Sequence, residues 1–176
     1  MTGIHIAHLM ECRHHIPTIA AWQQEEFSYL NPSGTVEERV ERLSKANDPH
    51  RLPISLVAIS PDRNELVGSA NVVATTLTHK HLTPWLSSVF VPAEQRGRGI
   101  ASRLTLAAAS EARRLGFETI YLFTPRNEAL YARLGVGDIR PRDARRRVRR
   151  RDGQNRLISV QKPKEGHLRQ ITLSIK

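Results

Sequence analysis

Residues 96–102 read Arg-Gly-Arg-Gly-Ile-Ala-Ser. They follow the short apolar run Val89-Phe90-Val91, closed by Pro92, and precede a stretch with helical apolar spacing. A strand that feeds a glycine loop into a helix start leaves backbone N–H groups without intrahelical acceptors, and the helix dipole adds partial positive charge there. Glycines let a ligand approach the backbone closely. Arg96 and Arg98 add mobile positive charge, and Ser102 adds a hydroxyl one turn in. The chemistry this suits is binding of a phosphate-bearing cofactor. A nucleoside-triphosphate loop would need Gly-x-x-x-x-Gly-Lys-Ser/Thr, which the chain lacks. A dinucleotide site would need a third small residue where Ser102 stands and an acid at the end of the following strand, whereas Glu118 begins that strand.

The elements that must position this loop can be read from periodicity. Residues 4–9 alternate as a first strand. Residues 16–30 put Ile19, Trp22 and Leu30 at helical spacing, with Pro17 in the first turn. Thr35-x-x-Glu38 is a capping-box pattern, opening a helix with Val36, Val40 and Leu43 on one face. Residues 52–60 and 65–78 read as a hairpin around the turn at 61–64, with Gly68 marking a bulge or a close backbone approach. Residues 85–91 form a fourth strand. Ile100, Leu104, Ala107, Ala108 and Leu115 make the stripe of a helix that Gly116 closes. Residues 118–124 are a short apolar strand, so strand, helix and strand form a right-handed βαβ unit. Residues 127–135 predict a short helix, and 156–161 a final strand.

The run Arg96-Gly97-Arg98-Gly99-Ile100-Ala101 resembles the central Arg/Gln-x-x-Gly-x-Gly/Ala motif of the GNAT (GCN5-related) N-acetyltransferases. The preceding "VFVP" is similar to that family's splayed fourth strand, and "LYARLG" to its closing Tyr-x-x-x-Gly. The order of elements over about residues 4–137 resembles the family fold, in the manner of a small bacterial-type member. The resemblance implies an α/β class with a mixed, twisted sheet of about six to seven strands flanked by helices. It implies acetyl-CoA as cosubstrate, no metal, and transfer of the acetyl group to an amine by direct attack.

Residue by residue, the resemblance implies that the amides of Arg96, Gly97, Arg98, Gly99, Ile100 and Ala101 hold the CoA pyrophosphate, with Ser102 beside them. Val89, Phe90 and Val91 would pair with the pantetheine arm. Tyr131 would be the general acid for the leaving thiolate, and Asn127 a cofactor hydrogen-bond partner. Without the resemblance, Tyr131 reads as an aromatic packing the last helix. The general base is open: residues 85–91 and 119–124 contain no carboxylate. Glu26 (or its neighbour Glu25) and His81 (or His79) are the candidates, set against ordinary solvated side chains. Trp22 and Trp85 read as core, with Trp85 able to edge an acceptor pocket. The remaining histidines show no set of three or four ligands at metal spacing.

Composition bounds the rest. The net charge of +10 over 176 residues is uneven. Residues 1–137 carry 14 basic and 13 acidic side chains, and residues 138–176 carry 13 and 4, including eight arginines between 140 and 151. The chain therefore divides into an acetyltransferase core at 1–137 and a basic segment at 138–176, which is either an arm or a divergent last hairpin of the same domain. The default for such a charge block is a solvated surface; nucleic acid bound through 140–151 is the less favoured partner. The expected partner is a small-molecule or peptide amine, with no membrane contact, and the chain a monomer or homodimer. A lone cysteine, Cys12, no basic-then-apolar leader in residues 1–10 and no apolar run of about 18 residues predict a cytoplasmic protein. A second class of function stays open: a catalytically weak acyl-CoA-binding module whose basic arm binds nucleic acid or another anionic partner.

Overall fold

The computed structural model describes residues 3–60, 64–76, 81–124, 130–131, 158–160 and 169–174. In chain order the elements are β1 (His5–His8), α1 (Ile16–Phe27), α2 (Val36–Ser44), β2 (Ile54–Ser60), β3 (Glu65–Val73), β4 (Trp85–Phe90), α3 (Ile100–Arg114), β5 (Thr119–Thr124), β6 (Ile158–Val160) and β7 (Arg169–Ser174). They form one seven-stranded sheet in the order β1-β2-β3-β4-β5-β7-β6. The pairs are antiparallel except β4–β5, which is parallel. This is the mixed α/β fold the sequence predicts. β7 was not among the expected strands: it pairs with β5 over Thr119–Thr124, so the sheet extends beyond residue 137. The arginine run at 140–151, Asn127 and His79 lie outside the described residues.

Every residue of β2 is buried, because both faces of the sheet are covered there. Ile54, Leu56 and Ala58 join Ile100, Leu104 and Ala108 of α3 in one core. Val57 and Ile59 join Ile16, Ile19 and Ala20 of α1 and Leu43 of α2 in a second. The sheet therefore sits between α3 on one face and the α1–α2 pair on the other.

α2 begins as its sequence requires. Thr35 Oγ1 accepts from the Glu38 amide at 3.2 Å, and Glu38 Oε2 accepts from the Thr35 amide at 3.3 Å, a complete capping box. Gly68 both marks a bulge and permits a close approach. The β2–β3 register shifts beside it. A Cβ at this position would lie 3.0 Å from the Phe90 carbonyl oxygen and 3.1 Å from the side chains of Ile100 and Leu104. The glycine thus lets α3 settle against β3 and β4. Gly68→Ala is expected to destabilise the protein by about 1–3 kcal/mol through overpacking, read as a lower midpoint in urea unfolding.

Candidate functional site

The site begins where β4 parts from β5. Only Trp85↔Tyr121 and Leu86↔Leu122 are in register; beyond Leu86 the two parallel strands diverge. β4 also carries a bulge. Ser69 of β3 faces Phe90 and Asn71 faces Ser87, so two residues, Ser88 and Val89, oppose Ala70 alone. Ser88 has a φ of 52°, uncommon for a residue with a Cβ. Val89 and Phe90 are partly buried and Val91 is buried. The strand half that the sequence assigns to a cofactor arm thus lacks a β5 partner.

The chain then turns through Ala93–Gln95 into the glycine loop. Gly97 and Gly99 have φ of +76° and +73°, the left-handed region where a Cβ is costly. A Cβ would meet nothing within 4 Å at either position, so the glycines serve backbone conformation and leave open space above the loop. Gly99 caps α3 without a side-chain hydrogen bond. The first helical N–H bond runs from Arg103 to the Gly99 carbonyl at 3.1 Å. The amides of Gly99 through Ser102 precede that bond and have no acceptor one α-helical turn back, as at any helix start. Arg96 Nε donates to the Val91 carbonyl at 3.1 Å and ties the loop to the strand end, while Arg98 donates to Gln95. The four residues from Arg96 to Gly99 are exposed. The loop is an open row of donors at a helix start, with positive side chains around it, as an oxyanion of a phosphate requires.

Tyr131 is brought to α3. Its side chain is 5 % exposed and lies in the same core as Ile100, Leu104 and Ala108. Burial pushes the phenol up to about 12, and a hydrogen bond with the Thr105 side chain pulls the other way. Thr105 Oγ1 also donates to the Ala101 carbonyl at 2.8 Å. One hydroxyl therefore links Tyr131 to the first turn after the glycine loop.

On the opposite face, under α1 and α2, lies a pocket of about 300 Å³. Its floor follows from register. Ser55 faces Asn71, and Asn71 faces Ser87, so one residue from each of β2, β3 and β4 points to the same side. Ser55 Oγ donates to Asn71 Oδ1 at 2.7 Å. Ser88 of the β4 bulge lines the same pocket, as do Gln23 of α1 and Arg39 of α2. These were missed from sequence. The available signals were isolated polar residues inside otherwise apolar strands, and an arginine lying on the Val36–Val40–Leu43 stripe of α2.

Three of the candidate bases lie within the described residues. Glu25 and Glu26 are exposed on α1, and His81 is exposed in the turn before β4; none lines the pocket. Trp85 is fully buried, donates from Nε1 to the Leu82 carbonyl at 2.8 Å and packs against Tyr121, so it belongs to the core and not to the pocket edge. Trp22 instead packs on Phe90, ring centroids 5.0 Å apart, and so braces β4 from the α1 side. Among the described residues no group of three or more His, Cys, Asp or Glu side chains could hold a metal, and no helix is long and apolar enough to cross a membrane.

The raised phenol has a consequence for stability. Tyr131 binds its proton more tightly in the folded chain than in the unfolded one, where the pKa is near 10. The stability this contributes is fully present below pH 10 and is lost as pH rises from about 10 toward 12. Tyr131→Phe removes this group, so its melting temperature is expected to fall less steeply between pH 9.5 and 11 than that of the parent chain, measured by thermal melts across that range.

Comparison with known proteins agrees with this architecture. The family model described as "Acetyltransferase (GNAT) family" matches residues 16–136. No curated protein matches the chain. Among solved structures, an N-acetyltransferase from Staphylococcus aureus Mu50 is 19% identical, with 99% of each chain covered and a TM-score of 0.63. A proposed acetyltransferase from Salmonella typhimurium, solved with its cofactor acetyl-CoA, is 16% identical over 99% of this chain and 95% of that one, TM-score 0.63. A proposed acetyltransferase from Exiguobacterium sp. 255-15 is 18% identical over 98% of this chain and 93% of that one, TM-score 0.61.

Proposed function

The chain belongs to the acetyltransferase (GNAT) family, and from that premise we propose that it transfers the acetyl group of acetyl-CoA to an amine. The observation that carries this reading is the exposed glycine loop that opens α3 at Gly99, set beside a fourth strand that leaves its neighbour after Leu86.

In this reading the amides of Arg96 through Ala101, with Ser102 beside them, hold the pyrophosphate, where the α3 dipole favours negative charge. The pantetheine arm lies along Val89, Phe90 and Val91, using backbone groups that β5 does not pair. A backbone N–H of the same edge polarises the thioester carbonyl, because charge develops on that oxygen as the amine attacks. The amine nitrogen forms the C–N bond, the C–S bond breaks, and the sulfur leaves as a thiolate. The nitrogen gives up a proton to water, and Tyr131 gives its proton to the sulfur.

A phenol held near 12 is protonated at any working pH, so it is always a donor. A thiol pKa is roughly 8.5 by analogy with cysteine, so the transfer runs uphill and comes late, after C–S cleavage. Thr105 gives its one proton to the Ala101 carbonyl and so accepts from Tyr131; its hydroxyl must turn toward the phenol to support a developing phenolate.

Calorimetric titration with acetyl-CoA and CoA tests the cofactor. Micromolar binding is expected, and Gly99→Glu is expected to weaken it by at least about a hundredfold, because it puts a carboxylate on a strained residue facing the phosphates. A folded protein that binds neither ligand rejects the reading. Once an acceptor is found by thiol release, Tyr131→Phe should lower kcat by about 10–1,000-fold while the acetyl-CoA Kd stays within about threefold.

A further inference from the structure

The pocket between α1–α2 and the sheet is lined by cationic and neutral polar side chains and, among the described residues, by no carboxylate. Arg39 is 5 % exposed, and its Nη2 is buried with no hydrogen-bond partner. Its Nε is satisfied by Gln24 Oε1 at 2.7 Å, which fixes the guanidinium in place. Gln23, also 5 % exposed, has a buried Nε2 with no partner. Both residues line the pocket, and both unpaired atoms are donors. Arg42 and Lys45 line it too, and among the described residues no Asp or Glu does. Nearby acids are engaged elsewhere: Glu38 in the α2 capping box, and Glu41 with Lys45 at 2.9 Å on the surface. Burial and Arg42 both depress the Arg39 pKa, with Glu38 opposing them. A guanidinium stays charged under such pressure. An unpaired buried charge calls for an anionic acceptor, and a guanidinium's parallel N–H groups match a carboxylate.

The pocket reaches β4 at Ser87 and Ser88, the residues immediately before the edge assigned to the pantetheine arm. We propose that it receives the carboxylate of the acceptor, held by Arg39, so that the acceptor is an amino acid or another carboxylate-bearing amine. Cationic acceptors such as polyamines would meet three positive side chains and no acid, and are disfavoured by repulsion. This rests on the acetyltransferase reading, and the test separates the two.

The probes are N-acetylated glycine, alanine, methionine, phenylalanine and glutamate, each paired with its C-terminal amide. They are titrated by NMR against the parent chain, Arg39→Gln, and the exposed double variant Arg42→Gln/Lys45→Gln. At least one acid is expected to bind about tenfold or more tightly than its amide, and Arg39→Gln should bring the pair within about twofold. If Arg39→Gln does not fold by thermal melting, the double variant carries the test; it should weaken the acid by about threefold and leave the amide unchanged. The same binding of acids and amides, including no binding of either, overturns the proposal. So does an acid preference that survives in the folded Arg39→Gln protein, or one that the double variant leaves undiminished where that protein does not fold. Acetyl-CoA is titrated separately. Loss of acetyl-CoA binding with the acid preference intact would sink the acetyltransferase reading and leave the anion pocket standing.

Discussion

The separation of β4 from β5 after Leu86 is the constraint on which the rest of the site depends. Two parallel strands that stayed paired would use their backbone groups on each other and leave no edge inside the sheet. The divergence has identifiable supports. The bulge at Ser88–Val89 bends β4, and the positive φ of Ser88 fixes the bend. Gly68 lets α3 lie within 3.1 Å of where a Cβ would stand, so the helix holds β3 and β4 from one side. Trp22 on Phe90 holds β4 from the other. A β4 that moved freely could not present a fixed row of backbone groups. The packing around it therefore has the character of a scaffold for the gap.

The two faces of the sheet carry different chemistry, and β4 is where they meet. On the α3 side, the loop amides, the helix dipole and Tyr131 are linked through Ala101 and Thr105. On the α1–α2 side, the Ser55–Asn71–Ser87 row floors a pocket roofed partly by Gln23 and Arg39. A small displacement of β4 would change both at once. The close contact at Gly68, three residues before Asn71 in the same strand, therefore bears on the geometry of both.

Legibility from sequence followed the strength of local demands. The glycine loop was readable because only glycine fits φ near +75° without strain, and because a strand-to-helix junction with two such residues has few physical uses. The α2 start was readable because a capping box is a four-residue pattern. β7 was not: Arg169–Ser174 follows a strongly basic stretch, and its pairing with β5 is a long-range event that no local pattern encodes. The pocket was also hidden. Ser55, Asn71 and Ser87 are ordinary residues in three separate strands, and only the cross-strand register places them side by side. Titration range and general position make Glu25, Glu26 and His81 candidate bases, and none of these three lines the pocket.

The same register gives Arg39 its significance. Burying a donor without an acceptor costs about 1–3 kcal/mol, more for a charge, and the pocket holds two such donors on neighbouring helices. A fold selected for stability alone would put an apolar side chain at residue 39, in line with Val36, Val40 and Leu43. Retaining a guanidinium there keeps a site under tension until an acceptor atom arrives. A ligand that supplies that atom relieves the cost as it binds, so the affinity it gains reflects strain already present in the empty pocket as well as the new contact. Most of the chain's overall charge of +10 lies in sequence beyond residue 137, outside the helices and strands that line the pocket. The selectivity proposed for the pocket arises instead from one short helix, where among the described residues Arg39 is the buried arginine and the neighbouring Glu38 is held in the capping box.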